Sequence, residues 1–481
     1  MRSLDVIAGA AFAALLVLPC AAQESALRDS ASIIIDGPRA AAADSALRAQ
    51  EAQGFAGVVL VEAGGRVILR KGYGLAVRKP PRPFAPSTVV QIGSNTKDFT
   101  AVAILQLAAK GALALTDSLG KFFAGVPADK RGITVQELLE HRSGLPLYSG
   151  LDFDSVTRAQ FLGRVMALPL RFPPGTDRAY SNAGYSVLAA IIEVVTGDSY
   201  GAYCDAHLWR PLGMHDTGLL LAKFDTLRLA HGYQGDEDAG TMLDKPHAAD
   251  GPYWNLRGNG GFLSTVTDMW HFYDVLFGSS ALLPAAQRDV MFPPDRPVAH
   301  AGSDMISFFL YERAPREGVV LIMATNQSDF PAPRAREAIA PLLGLPPMGG
   351  RGGQRVGGPP PGNAPFSLSM AVALPATPAG RQAAAFIAMF NAGDTAAARQ
   401  FMATQEVQDP GDHRTMDQRV SSYRGMRHQV GAMVPVAVIS SEPTQIVLRM
   451  RTEHGESPTL TVTVEAAAPN RITGLRIAAG E

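Results

Sequence analysis

The chain of 481 residues exceeds the size of one ordinary hydrophobic core, which predicts at least two domains. Hydrophobic residues make up 47% and charged residues 18%, a balance typical of globular proteins and unlike that of disordered chains. The formal net charge is −1 and no basic run occurs, which argues against nucleic acid or an anionic membrane surface as a partner. A small-molecule or peptide substrate is favoured instead.

The first 22 residues have the pattern of an export signal cleaved after Ala22, which predicts a periplasmic or secreted protein. Arg2 precedes an apolar run that is too short to span a membrane, and no later apolar run is long enough. Pro19, in place of a small residue before Cys20, argues against a lipid anchor. Once the signal is removed, Cys204 is the remaining cysteine, which excludes an internal disulfide and a zinc site made of several cysteines.

The first predicted elements lead to a serine. Alanine-rich residues 40–53 favour a helix, and the β-rich runs 55–61 and 66–73, joined by a glycine pair, predict a hairpin. Four prolines restrict residues 79–86 to a loop. Ser94 follows this loop.

Ser94 stands at the start of an apolar segment, and Lys97 follows three residues later. In a helix this spacing places the hydroxyl and the amine on one face, so a nucleophile beside a candidate base is predicted. The helix should end near Gly111. The same S-x-x-K spacing recurs at Ser118 and Lys121, where a charged residue after a turn is the simpler interpretation.

Helix starts are predicted at two later points. Thr134 and Glu137 have the spacing of a capping box. The Tyr-x-Asn triplet at 180–182 precedes residues 183–195, whose apolar positions recur with helical spacing, so the triplet lies at a loop-to-helix junction. A second Tyr-x-Asn triplet at 253–255 is interpreted as aromatic packing beside a loop.

Strand patterns return at 306–311 and 318–325, a second hairpin, and a helix is predicted near 335–343. His300 and Gly302 stand immediately before the first of these strands. Since two hairpins bracket a helical middle, the sequence predicts one antiparallel sheet built from both ends of the chain, flanked by helices, with an inserted helical lobe. The fold class is therefore α/β in the α+β sense.

Residues 344–366 are rich in glycine and proline, which predicts a linker. Beyond it, residues 367–481 contain two helix patterns and four alternating strand patterns, which predict a small α+β domain with an accessory role. The predicted order is a signal at 1–22, a main domain at 23–343, the linker and the accessory domain.

A serine hydroxyl needs a proton acceptor within reach and donors for the oxyanion that it creates. Lys97 could accept the proton if burial or neighbours lower its pKa, and Tyr180 could share it. Asn182 could bind a substrate amide. His300 offers a polar or cationic group, and Gly302 lets a substrate lie against the strand edge.

No metal and no cofactor are predicted. His207, His215 and His231 lie in the helical lobe, but their spacing matches neither H-E-x-x-H nor another recognisable ligand pattern. Exposed histidines, or histidines with protein partners, are the simpler interpretation.

The chain resembles the serine β-lactamase and penicillin-binding-protein superfamily over about residues 40–343. The resemblance is to the class C β-lactamase-like branch, with its D-alanyl-D-alanine carboxypeptidases, D-aminopeptidases and esterases. Three motifs match in order, namely 94–97 for S-x-x-K, 180–182 for Y-x-N and 300–302 for the K/H-x-G strand motif. Flanking sequence that also matches lies at 133–146, 174–176 and 258–265.

By this resemblance Ser94 would be acylated, and Lys97 and Tyr180 would move the proton. Asn182 would orient Lys97 and the substrate, and the backbone amides of Ser94 and Ser303 would form the oxyanion hole. Many relatives carry lysine where this chain has His300. With its unperturbed pKa of about 6.5, histidine would hold a substrate carboxylate less firmly at neutral pH. Residues 367–481 resemble NTF2-like or cystatin-like domains appended to such hydrolases.

The chain departs from the branch around His300. Pro293, Pro294 and Pro297 precede it, so no strand is predicted there, and Ser303 begins a segment without the proline- and glycine-rich turn common in relatives. The predicted function is an exported serine hydrolase that forms an acyl-enzyme with an ester, a D-amino acid peptide or a β-lactam. The alternatives are a non-catalytic or slowly acylated penicillin-binding or sensor protein of the same fold and, disfavoured by the histidine spacing, a metal-dependent hydrolase.

Overall fold

A computed structural model describes residues 32–219, 225–234, 237–303, 307–327, 332–347, 372–407, 415–452 and 458–478. The predicted export signal and most of the predicted linker lie outside these residues. No helix in the described ranges is both long and apolar enough to cross a membrane.

The elements are numbered here in chain order. The helices are α1 (Gly37–Glu51), α2 (Thr96–Ala109), α3 (Leu119–Phe122), α4 (Val135–Leu139), α5 (Arg158–Ala167), α6 (Asn182–Thr196), α7 (Tyr200–Cys204), α8 (Val266–Gly278), α9 (Ala285–Met291), α10 (Ala332–Leu343), α11 (Pro378–Ala392), α12 (Thr395–Gln405) and α13 (Met416–Val430). The strands are β1 (Ile34–Ile35), β2 (Gly57–Ala63), β3 (Arg66–Tyr73), β4 (Leu75–Val77), β5 (Arg82–Pro83), β6 (Val90–Gln91), β7 (Gly232–Gln234), β8 (Glu237–Gly240), β9 (Leu263–Ser264), β10 (Val298–Ser303), β11 (Phe308–Ala314), β12 (Val319–Thr325), β13 (Met433–Ser441), β14 (Gln445–Thr452), β15 (Thr459–Val464) and β16 (Ile472–Ala478).

The main sheet is antiparallel and joins the two ends of the main domain. Its strand order is β1-β3-β2-β12-β11-β10, and the central pairing of β2 with β12 sets Leu60 opposite Ile322. The two predicted hairpins, β2–β3 and β11–β12, are thus neighbours in one sheet. This arrangement confirms the predicted fold class.

Both faces of this sheet are buried. Along β2, Val58 and Leu60 belong to the larger core, with α2 and α6, whereas Val59 and Val61 pack in a second core with α1 and α10. This alternation follows from the two-residue period of a strand. Helices therefore cover the sheet on both sides.

Helix α2 runs through the larger core and carries the nucleophile's neighbours. Every residue from Thr96 to Leu105 is buried, as expected for a helix surrounded by protein. The helix ends at Ala109, and Gly111 follows with φ +71°, which confirms the predicted helix stop. Because its first turn is buried, the polar side chains of Lys97 and Asp98 need partners inside the protein.

Two helices of the helical lobe begin where the sequence predicts. Both hydrogen bonds of the capping box form between Thr134 and Glu137 at the start of α4. Ser181 caps α6 by accepting a hydrogen bond from the Gly184 N–H, and Gly197 ends that helix in the left-handed conformation. Tyr180 therefore stands just outside a well-defined helix start.

The strand that holds His300 corrects one expectation. His300 and Gly302 do not precede a strand but lie within β10, an edge strand that pairs with β11. The side chains of β10 do not alternate between buried and exposed over its first half, where three partly buried residues follow one another. The period-two signal of a strand is consequently weak in this sequence.

The last described part of the chain forms a second sheet of order β13-β14-β15-β16, with α11, α12 and α13 packed on it around a separate core. The sequence patterns predict α11 and α12. They do not predict α13, because its residues are predominantly polar and lack an apolar helical pattern. The domain boundary at residue 367 stays a prediction, since residues 348–371 are outside the described ranges.

Candidate active site

Two glycines bring the nucleophile and the edge strand into contact. Ser94 is the middle residue of the short turn Gly93–Asn95, which leads into α2. Gly93 has φ +47°, and a Cβ on it would lie 2.8 Å from the Ser303 nitrogen. A Cβ on Gly302 would lie 2.1 Å from the Ile92 carbonyl oxygen and 2.6 Å from the Ser94 nitrogen. The sequence thus allows β10 to pass directly beside the nucleophile.

Ser94 Oγ has two hydrogen-bond partners. Lys97 Nζ donates to it at 3.1 Å, and the Tyr180 hydroxyl donates to it at 2.9 Å. The three groups come from two helix starts that are 86 residues apart in the chain. The fold therefore brings a serine hydroxyl, a lysine amine and a phenol into contact, and their catalytic roles stay a prediction.

Lys97 is buried, and burial lowers its pKa to about 7, against the opposing charges of Asp152 and Asp98. Its ammonium also donates to the backbone carbonyl of Asn259 at 2.7 Å. A substantial neutral fraction exists at pH 7. Lys97 can therefore accept a proton from Ser94.

Tyr180 is held by His141. Their ring centroids are 4.5 Å apart, and His141 Nδ1 accepts a hydrogen bond from the Ser181 N–H at 3.1 Å. Burial, with the nearby cations of Lys97 and Arg178, lowers the pKa of His141 to about 3, so the ring is neutral and can accept this bond. Burial raises the pKa of Tyr180, which keeps its hydroxyl protonated as a donor.

Among the described residues, Asn182 forms no hydrogen bond with Lys97, which it was expected to orient. Its backbone N–H donates to the Leu147 carbonyl, and its side-chain oxygen is buried without a hydrogen bond to the described residues. Lys97 is oriented instead by the backbone carbonyl of Asn259. The side-chain nitrogen of Asn259 donates hydrogen bonds to the Ser186 hydroxyl and to the Asn255 carbonyl, which hold this residue in place. A role for Asn182 toward substrate stays a prediction.

His300 has a partner that the sequence did not indicate. Its Nδ1 lies 2.7 Å from Asp98 Oδ2, and the Tyr273 hydroxyl donates to the same carboxylate oxygen. Burial disfavours the charged imidazole, but the charge and hydrogen bond of Asp98 outweigh burial and raise the pKa of His300. The contact with Asp98 therefore shifts the pKa of His300 upward from the ordinary value assumed from the sequence.

The predicted oxyanion donors, the amides of Ser94 and Ser303, are adjacent. A Cβ added to Gly302 would lie within 3 Å of the Ser94 nitrogen, and a Cβ added to Gly93 would lie within 3 Å of the Ser303 nitrogen. This is the narrow gap between the nucleophile turn and β10. Their role as oxyanion donors stays a prediction.

Three residues of the site, Asp98, His141 and Asn259, were not predicted from the sequence. His141 and Asn259 lie in the stretches 133–146 and 258–265 that matched the branch. Asp98 had no comparable signal, because its partner is 202 residues away.

The repeated motifs have structural roles. Ser118 is the N-cap residue of α3, and Lys121 forms an exposed ion pair with Asp117 at 2.6 Å. Trp254 is buried, and Asn255 joins two loops by accepting from the Ser149 hydroxyl. Across the described ranges, no group of three or more His, Cys, Asp or Glu residues is placed to hold a metal ion.

The proteins similar to part of this chain include a penicillin-binding protein and an esterase. Penicillin-binding protein 4* from Bacillus subtilis (strain 168) is 29% identical over 254 residues, which are 50% of this chain and 56% of that protein. Esterase EstB from Burkholderia gladioli is 33% identical over 200 residues, covering 37% of this chain and 50% of the esterase. The chain thus spans about half the length of these two relatives.

The fold also matches solved structures. The crystal structure of FmtA from Staphylococcus aureus aligns with a TM-score of 0.55 at 21% identity, over 67% of this chain and 94% of FmtA. A likeness at this identity concerns the fold. A family model described as beta-lactamase matches residues 43–343, which is more than half of the chain and includes the three motifs. The chain therefore belongs to the beta-lactamase family.

Proposed function

We propose that this protein is a serine hydrolase that cleaves its substrate through an acyl-enzyme on Ser94. One observation carries the proposal: Ser94 Oγ lies 3.1 Å from Lys97 Nζ and 2.9 Å from the Tyr180 hydroxyl. An unassisted serine is a weak nucleophile, and an adjacent base is the feature that activates it. The pKa of Lys97, about 7, gives this base a working range near neutral pH.

In the proposed acylation, Ser94 Oγ attacks the substrate carbonyl carbon while its proton passes to neutral Lys97. The amides of Ser94 and Ser303 stabilise the oxyanion, and loss of one such donor typically costs about 10²–10³ in rate. The C–O or C–N bond to the leaving group then breaks, and Tyr180 delivers a proton to that group, replenished from Lys97. In deacylation a water molecule attacks the ester carbonyl carbon and gives a proton to the Lys97–Tyr180 pair. The bond between the acyl carbon and Ser94 Oγ then breaks, the pair returns the proton to Ser94 Oγ, and the acid is released.

The proposed substrates are esters, D-amino acid peptides or β-lactams, which share this reaction. A penicillin-binding protein and an esterase are among the relatives, and both names fit acyl transfer to a serine. Selectivity among these acyl donors resides in the loops around the cleft, since family membership alone does not set it.

The proposal includes export. Residues 1–22 have the pattern of a cleaved signal, so the proposed location is periplasmic or secreted. N-terminal sequencing of the protein recovered from the periplasm or medium should begin at Gln23. A cytoplasmic protein that retains Met1 to Ala22 would contradict export and leave the hydrolase proposal intact.

A substrate panel tests the activity. We expect turnover of at least one of a p-nitrophenyl ester, a D-alanyl-D-alanine peptide and a chromogenic β-lactam, with and without a chelator. Ser94→Ala should reduce turnover by about 10⁴-fold or more, whereas Ser118→Ala, which alters the second S-x-x-K motif, should leave it unchanged. Full turnover by Ser94→Ala would refute the proposal, and stable labelling without turnover would favour the binding or sensor alternative.

A further inference from the structure

Asp98 stands at a junction of three elements beside the nucleophile turn. It follows Lys97 on α2, and its buried carboxylate contacts His300 of β10 and Tyr273 of α8. The chain segments that meet there are separated by up to 202 residues. A buried carboxylate that joins the nucleophile helix to the edge strand is not needed for the acyl-transfer steps described above.

Asn95 closes the network on the nucleophile side. Its side-chain nitrogen donates to the Tyr273 hydroxyl at 3.2 Å and to the His300 carbonyl at 3.4 Å. Tyr273 is stacked on Tyr311 of β11, with ring centroids 3.5 Å apart and an interplanar angle of 15°. The network therefore ties the residue after Ser94 to the strand that holds His300, through a side chain that packing fixes in place.

His300 faces titratable groups from three neighbouring elements. Among the described residues these are Asp98 from α2, Tyr273 from α8 and its strand partner Tyr311 from β11. Burial raises the pKa of both tyrosines well above the usual value, so these phenols are neutral. The negative charge of Asp98 thus stabilises the imidazolium against the cost of burial.

We propose that Asp98 is a positioning residue for the reaction at Ser94: it holds His300 as a cation in its partly buried place on β10 and fixes that strand against the nucleophile turn. This inference rests on the proposed function. With Nδ1 bound to Asp98, Nε2 is the ring nitrogen left for substrate. In the imidazolium it is an N–H donor, suited to a carboxylate or carbonyl oxygen of the acyl donor.

The pairing of His300 with Asp98 also changes the pH range over which His300 Nε2 is a hydrogen-bond donor. An isolated buried histidine would be neutral at pH 7, and its Nε2 would then be an acceptor. Paired with Asp98, His300 keeps its second N–H to a higher pH. The pair therefore extends this donor toward the pH range in which Lys97, with a pKa of about 7, becomes a competent base.

The test is Asp98→Asn, which keeps the size and an acceptor oxygen but removes the charge. Histidine-labelled protein is titrated by NMR, with the His300 signal assigned by its loss in His300→Gln. We expect the His300 pKa to fall by about one unit or more in Asp98→Asn. Tyr273→Phe removes a donor from Asp98 and keeps the aromatic stack, so it should shift the His300 pKa in the opposite direction.

Kinetics on a p-nitrophenyl ester give the second measurement. For Asp98→Asn we expect kcat/KM at pH 8 to fall by about tenfold or more, with a smaller loss at pH 6 where His300 is more readily charged. The matched control is Asp268→Asn, a buried carboxylate on α8 that bonds Thr217 and the Asp216 N–H rather than site residues. It should leave both the His300 titration and the pH profile unchanged.

An unchanged His300 titration in folded Asp98→Asn would overturn the inference. If Asp98→Asn fails to fold, the Tyr273→Phe titration decides, and the absence of an upward shift would overturn it. The titration requires no turnover, so its outcome is independent of the proposed function, which fails separately if the wild-type protein turns over no substrate and acquires no adduct.

Discussion

The imidazole of His141 lies against the ring of Tyr180, 4.5 Å between centroids, and its Nδ1 accepts a hydrogen bond from the next residue, Ser181. His141 itself has φ +59°, a conformation that asparagine tolerates and alanine does not favour. The position of the phenol that bonds Ser94 thus depends on a residue outside the three motifs.

We therefore expect His141→Ala to lower kcat/KM by about 10–10²-fold, because Tyr180 loses the ring that packs against it and the Ser181 N–H loses its acceptor. His141→Asn, which tolerates the backbone conformation and retains an acceptor, should lose less. The measurement is steady-state ester hydrolysis. The control is His207→Ala, which removes a ring packed against Tyr203 with centroids 4.4 Å apart. Equal losses in His141→Ala and His207→Ala would count against the role of His141.

The pH dependence of the rate should report the state of Lys97. Its pKa is lowered to about 7, so the neutral base predominates above that pH and is lost below it. For an uncharged ester we expect kcat/KM to rise with pH through about 7 and then level off. Lys97→Arg has no accessible neutral form and should be about 10²–10⁴-fold slower at every pH. A rate that falls with rising pH across this range would exclude neutral Lys97 as the base.

Because β10 lies in close contact with the nucleophile turn, a side chain at Gly302 should not fit. A Cβ there would lie 2.1 Å from the Ile92 carbonyl oxygen, so Gly302→Ala must displace backbone. We expect about 1–3 kcal/mol of lost stability and about 10²-fold lower kcat/KM. Gly474→Ala in β16 is the matched control, since its Cβ would meet Thr463 at an ordinary 3.5 Å. Wild-type stability and rate in Gly302→Ala would show that the strand is not confined there.

A buried ion pair holds α10 to the main sheet. Arg336, whose side chain is 1% exposed, donates two hydrogen bonds to Glu312, at 2.9 and 2.6 Å. Arg336→Met should cost about 3–5 kcal/mol of unfolding free energy, because Glu312 is left as a buried charge without its main partner. The double variant Arg336→Met/Glu312→Leu should recover most of this loss in chemical denaturation. Equal destabilisation of both variants would show that packing, rather than charge, is responsible.

Local relations in the sequence predict part of the site, whereas His300, Gly302 and Ser303 were expected from the order of the motifs and the family resemblance. Ser94 and Lys97 share one helical turn, and Tyr180 precedes a helix whose cap and apolar spacing are visible in the sequence. The antiparallel sheet also follows from two hairpin patterns. Local periodicity accounts for these features.

The contacts of Asp98 and Asn259 could not be predicted in the same way. An aspartate in the first turn of a helix is expected for its favourable interaction with the helix dipole, and nothing local distinguishes one that pairs with a distant histidine. Asn259 acts through its backbone carbonyl, which every residue possesses. These contacts depend on tertiary packing between segments more than 160 residues apart.

The most direct test of the central claim is the mass of the intact protein quenched during turnover of an ester or β-lactam. We expect a mass increase equal to the acyl group, located by peptide mapping on Ser94, and absent from Ser94→Ala but present in Ser118→Ala. An acyl group on another residue, or turnover that persists in Ser94→Ala with no adduct, would contradict the assignment of Ser94 as the nucleophile.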